Sequence, residues 1–160
     1  MEIFLKKNLV IGIILFFVFS WQFIIAKTSD FSSLDEIVQA LYDCISFKEN
    51  SKPNLDRYRT MFIPSAQFIR VSPDGVMNMD LEGFISFFEE RIDSGAIKSF
   101  YEGETSRKTN TFKNIAQVYS AYRKAYNSDN PTEFSEGVNC MQLYFDGKRW
   151  WVTSIIWEDE

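Results

Sequence analysis

The run 150–157 (WWVTSIIW) carries large or β-branched apolar side chains at odd and even positions alike. A half-exposed strand alternates apolar with polar residues, so a strand of this composition must be covered on both sides. It follows a second β-forming run, 137–145, across Asp146-Gly147, a pair that readily takes the positive φ angles of a tight hairpin turn. The hairpin at 137–160 therefore demands helices, another sheet or a second subunit over each of its faces.

The chain has 160 residues, room for one ordinary domain, and its beginning reads as something else. Lys6 and Lys7 precede an apolar run that continues, interrupted by Ser20-Trp21-Gln22, to Ala26. Residues 1–26 have the layout of a secretory signal peptide cut after Ala26. Residues 9–26 are also long enough to stay as an amino-terminal membrane anchor. Either way the domain is expected to be exported, to a periplasm or the extracellular space, with membrane contact only through 9–26 if the leader is retained. Removing Lys6, Lys7 and Glu2 leaves 15 basic and 21 acidic side chains, a formal net charge of −6. No basic stripe is present, so nucleic acid is not an expected partner. Cys44 and Cys140 remain, and an oxidising compartment permits a disulfide between them; two buried thiols are the alternative.

Further along, Ser33-Leu34-Asp35-Glu36 fits a capping box, and Leu34, Ile37, Val38, Leu41, Tyr42 and Ile45 recur at helical spacing. A short helix is expected over 55–62. A hairpin follows, with strands at 66–71 and 76–79. Asp80 can cap a third helix over 81–92, which Ser94-Gly95 ends. Long β runs then cover 97–109, 115–126, 137–145 and 149–157, with a polar surface loop at 127–131. Helices first and consecutive antiparallel strands after them describe an α+β domain: one strongly curved antiparallel sheet wrapped around about three helices.

Phe100-Tyr101-Glu102, the stretch Asn114-Ile115-Ala116-Gln117-Val118-Tyr119-Ser120-Ala121-Tyr122, Gly137-Val138-Asn139 and Asp146-Gly147-Lys148-Arg149-Trp150-Trp151-Val152 resemble a bacterial subgroup of the nuclear transport factor 2-like (SnoaL-like, cystatin-like) superfamily. The resemblance covers 32–160 and implies a cone-shaped fold. For function it implies a range, because that superfamily holds cyclases, dehydratases, isomerases, transport adaptors and plain binding domains. Lys113 departs from the pattern, since relatives often have Gly there, and this leaves the geometry of that turn open.

The chain contains no histidine. That excludes Ser-His-Asp and Cys-His catalysis, the common His-based metal sites and the His–Asp dyad of relatives resembling scytalone dehydratase. No metal or cofactor is implied. Carboxylate chemistry remains: Glu102 and Glu104 alternate along a strand and share a face with Phe100 and Ser106. Facing a cavity, either could be a general base; facing water, with Arg107 and Lys108 near, neither would be. Cys44 lacks a His and reads as core rather than nucleophile. Arg57 and Arg59 flank Tyr58, either greeting an anion at a cavity mouth or lying on a solvated helix face.

A ligand cavity would draw on Tyr42, Tyr58, Phe88, Tyr122, Asn139 and Trp150. By strict alternation Trp150, Val152, Ser154 and Ile156 share one face of the last strand, and Trp151, Thr153, Ile155 and Trp157 the other. The second face would leave a large apolar patch, which predicts a homodimer through Trp151, Ile155 and Trp157. The leading expectation is an exported domain that binds a small apolar or amphipathic ligand or a protein partner. The alternatives are a cofactor-independent lyase, isomerase or cyclase with Glu102 or Glu104 as base, and a structural dimerisation module with a plugged cavity.

Overall fold

The computed structural model describes residues 30–127 and 132–160. The leader expected over 1–26 and most of the 127–131 loop lie outside them. Helix α1 (Leu34–Ile45) starts with the capping box: Glu36 N donates to Ser33 Oγ at 3.2 Å, and Ser33 N to the Glu36 carboxylate at 3.1 Å. Its stripe buries Ile37, Val38, Leu41, Tyr42 and Ile45. Helix α2 (Leu55–Arg59) is shorter than the 55–62 expected. Val152 N donates to Met61 O at 2.9 Å, so the sheet claims the chain there and strand β1 (Phe62–Ser72) begins early.

Strand β2 (Gly75–Asp80) pairs antiparallel with β1, and Asp80 Oδ1 accepts from Gly83 N at 2.8 Å to cap helix α3 (Leu81–Asp93). Strand β3 (Phe100–Phe112) starts later than expected, because Ile97 N donates to Arg91 O and holds 97–99 against the end of α3. Strands β4 (Ile115–Tyr126), β5 (Ser135–Phe145) and β6 (Trp150–Asp159) complete the sheet. The order is β2-β1-β6-β5-β4-β3, unclosed, with the helices packed on it. The sheet is mixed where the sequence suggested an antiparallel one. The last strand returns beside the first and pairs parallel to it, a non-local contact that consecutive hairpins do not announce.

The turns carry their own explanations. Lys113 takes φ 50, so the turn that the sequence left open is made by a lysine in the left-handed backbone region. The β5–β6 connection is four residues long, and only Gly147 in it has positive φ (97), where a tight turn with positive φ at both Asp146 and Gly147 was expected. Asp146 organises it: Oδ1 accepts from Lys148 N and Arg149 N at 2.8 and 2.9 Å, and Oδ2 from Trp151 Nε1 at 2.8 Å. These donors, Arg149 N first, hold the Asp146 pKa down at about 2.

Two bulges rearrange the faces. In β3 the register slips at Thr105, between Glu104↔Tyr122 and Ser106↔Ala121. Ser106 therefore leaves the face of Phe100, Glu102 and Glu104, and Arg107 takes its place. In β6 the register slips at Thr153, between Leu143↔Val152 and Gln142↔Ser154. Val152 points inward, and so do Ile155 and Trp157, while Trp151 and Ile156 point out. The expected dimer face is thus split: Ile155 is buried in the core and Trp157 packs against it. The cysteines are free, with Cys44 on buried α1 and Cys140 on the outer face between inward Asn139 and Met141. The sheet stands between them, so the disulfide that the sequence permits is not formed and the free-thiol alternative holds.

Candidate functional site

The concave face of the sheet and helices α1, α2 and α3 enclose a cavity of about 120 Å³. Its floor is aromatic because Phe84 and Phe88 lie one turn apart on α3 and Phe68 faces them from β1. Phe68 and Phe84 stack at 4.6 Å, and Trp157 meets Phe84 edge-on at 6.0 Å. Tyr58 stacks on Phe84 at 5.6 Å and also lies 6.4 Å from Phe68, so the three rings form one cluster. The half-exposed lining residues Arg70, Phe87, Arg91 and Tyr126 mark the mouth, where the Arg91 guanidinium lies over both Phe87 and Tyr126.

Two carboxyl groups line the cavity, those of Asp159 and Glu102, and that of Glu102 stands in the wall beside the aromatic rings. Loss of bulk water pushes its pKa up to about 7, against the opposing pull of a hydrogen bond from Asn139 and the charge of Lys124. Asn139 Nδ2 donates to Glu102 Oε1 and to the Tyr42 hydroxyl, each at 3.2 Å. Tyr42 then meets Ser120 Oγ at 2.6 Å, and Ser120 donates to Glu104 Oε1. Since the single Ser120 proton goes to Glu104, Ser120 accepts from Tyr42, and the chain of donors runs in one direction to Glu104. Arg107 closes on Glu104 with two hydrogen bonds of 2.8 and 2.7 Å and reaches Asp35 at 2.6 Å. The β3 bulge brings Arg107 to this position.

Around the mouth, Lys124 pairs with Asp159, and Arg70 stands 3.8 Å from Asp159 Oδ1. Burial pulls the Lys124 pKa down to about 8, while Glu102 opposes that shift and Arg70 and Arg91 add to it. Burial also pushes the Tyr42 hydroxyl up to about 12, and pushes Tyr122 well above its ordinary value. Tyr122 lies directly over Gly137: a Cβ there would stand 2.5 Å from its oxygen, so only glycine leaves room for that ring.

Of the residues proposed from the sequence, Tyr42, Tyr58, Phe88, Tyr122, Asn139 and Glu102 line this cavity together. Trp150 does not; it packs on Phe145 at the far end of the hairpin. Glu104 lies behind the wall, held by Arg107 and Ser120. Arg57 lies over the Phe31 ring, and Arg59 pairs with Glu82 and Asp56, so neither reaches the mouth. The mouth's actual charges, Arg70, Arg91, Lys124 and Asp159, were missed. A signal for two of them existed: Arg70 continues the inward register of Ala66 and Phe68, and Lys124 that of Val118, Ser120 and Tyr122.

No family model matches the chain, and no curated protein matches it. Solved structures do. A Nostoc punctiforme protein with a cystatin-like fold aligns at TM-score 0.58 and 10% identity, covering 81% of this chain and 95% of that one. A nuclear transport factor 2-like protein of Pseudomonas aeruginosa aligns at TM-score 0.57 and 13% identity, covering 79% and 94%. This chain has the nuclear transport factor 2-like fold. A candidate scytalone dehydratase of Novosphingobium aromaticivorans also aligns on the same fold, at TM-score 0.51 and 9% identity over 67% and 71% of the two chains. At such identities the likeness is one of fold. Within this nuclear transport factor 2-like cone, the chemistry must be read from the cavity's own residues.

Proposed function

We propose that this nuclear transport factor 2-like domain binds a small amphipathic molecule in its cavity and moves a proton on it without a cofactor, as a lyase or isomerase does, with Glu102 as the base. The observation that carries this reading is the position of Glu102: a carboxyl on an aromatic cavity wall, with a pKa pushed up to about 7. A base poised near neutral pH is both half-available and strong enough to take a proton from carbon next to a carbonyl. Asn139 fixes the carboxylate's orientation through Oε1 and leaves the other oxygen for the substrate. Tyr122 stays a neutral hydroxyl donor, and Lys124 supplies positive charge nearby, so the enolate formed by deprotonation has two groups to lean on. The proton held by Glu102 then returns to a different carbon or to a leaving oxygen, and no electrons leave the substrate.

The open cavity separates this reading from a structural module whose interior is plugged by side chains. A ligand-binding role without turnover shares the cavity but does not require the carboxylate. The two part on a probe reaction: conversion of 3-cyclohexenone to 2-cyclohexenone, followed by the absorbance of the conjugated enone. Acceleration that disappears in Glu102→Gln supports the base. Equal rates for wild type and Glu102→Gln, with the probe shown by NMR to occupy the cavity, would reduce the function to binding.

The leader pattern at 1–26 supports export as a further part of the proposal, and the outer sheet face supports self-association. On that face Tyr119, Cys140 and Ile156 form one cross-strand row, with Tyr119 48% and Ile156 42% exposed.

A further inference from the structure

We propose that the cavity's ligand is an anion, a small carboxylate with an apolar body, whose head group is held at the mouth by Arg70 and Arg91 while its body lies on the aromatic floor. This rests on the reading that the cavity holds a small molecule, and it names the chemical class that the mouth selects. Three cations, Arg70, Arg91 and Lys124, line the cavity against two carboxylates, Glu102 and Asp159. Their commitments differ. Lys124 is taken up by Asp159. Arg91 has only ring contacts, with Phe87 and Tyr126, and no carboxylate partner among the described residues. Arg70 stands off Asp159 at 3.8 Å, too far for a hydrogen bond, and Asp159 Oδ1 is a buried oxygen without a donor. The guanidinium of Arg70 therefore keeps its planar fork open.

A cavity-lining guanidinium over aromatic rings, with its N–H groups unspent, fits a carboxylate that arrives with an apolar tail. The size agrees: about 120 Å³ accommodates a body near that of one benzene ring, with the head group reaching the mouth. The placement also orients the ligand for the base. Glu102 lies inward of the arginines, so the anchored head keeps its own charge away from the Glu102 carboxylate and presents the body to it.

The test uses three probes with the same ring and different charge, namely benzoate, benzamide and benzylamine, titrated into the 15N-labelled domain and followed through the backbone amides of the cavity strands. Benzoate should bind about tenfold more tightly than benzamide, the size of one charge-assisted hydrogen-bonded contact. That preference should shrink to about twofold or less in Arg91→Gln and in Arg70→Gln, return in Arg91→Lys, and weaken with added salt. Equal binding of benzoate and benzamide would overturn the anion anchor and leave the cavity reading standing. Preference for benzylamine would overturn it in favour of a cation site on Asp159 and Glu102. If no probe moves the cavity amides while the spectrum remains that of a folded protein, the cavity reading fails, and the anion anchor with it.

Discussion

Asn139 Nδ2 lies 3.2 Å from Glu102 Oε1 and donates to it, although the two residues sit on strands that are not neighbours. The bond spans β4, crossing it diagonally between the levels of Lys124 and Ser120, and it opposes the effect of burial on the carboxyl. It also links the cavity to the chain of hydrogen bonds that runs through Tyr42 and Ser120 to Glu104.

Replacing Asn139 with Ala should therefore raise the Glu102 pKa above about 7, because the lost donor favours the charged form. A 13C titration of the glutamate carboxyl carbons checks this. A pKa that stays in place or falls would mean that water or Lys124 supplies the missing donor.

Glu102 also sets a pH dependence of stability. Its native pKa of about 7 lies above the 4.5 of the unfolded chain, so between those values the native state holds a proton that the unfolded state has released. The stability linked to that proton is fully present below pH 4.5 and is lost as pH rises through 7. The loss is at most about 3 kcal/mol. Glu102→Gln should flatten this slope in urea unfolding between pH 5 and 8 and leave the variant more stable than wild type at the upper end. Lys124 acts above this window, because its native pKa is about 8.

Much of this arrangement was legible in the sequence where local rules govern. The Ser33 box, the Asp80 cap and the span of β4 depend on neighbours in the chain, and each was found as expected. Alternation placed Glu102 and Glu104 on one face, but it carries no sign, and only the packing of α1, α2 and α3 makes that face the concave one. The bulges at Thr105 and Thr153 leave no compositional trace, so Ser106 and Ile155 were assigned to the wrong faces. The parallel β1–β6 pair joins strands from opposite ends of the domain, and that pairing brings Arg70 to Asp159.

Tyr42 and Ser120 should behave as one unit, since their 2.6 Å contact is buried and each also serves a second partner. Tyr42→Phe leaves the Ser120 hydroxyl and the Asn139 amide each short of a partner, at a cost of about 1–3 kcal/mol. Ser120→Ala should cost a similar amount. The double variant should cost less than the sum by about 1 kcal/mol, as read from a double-mutant cycle in urea. Strict additivity would show that the two hydroxyls make separate contacts in solution.

The outer face gives the last prediction. The Thr153 bulge turns Ile155 into the core and Ile156 out beside Tyr119 and Cys140, so neighbouring isoleucines on β6 have different roles. Ile155→Glu places a charge among Met141 and the cavity rings and should prevent folding. Ile156→Glu keeps the fold, as circular dichroism should report, and adds charge to the proposed pairing surface. Sedimentation of the domain from residue 27 onward should show a dimer at roughly 50 μM, and Ile156→Glu should shift it to monomer, because like charges then meet across a two-fold axis. A wild-type domain that sediments only as monomer at that concentration would remove the dimer from the proposal. The cavity chemistry would be left untouched, since every group in it comes from one chain.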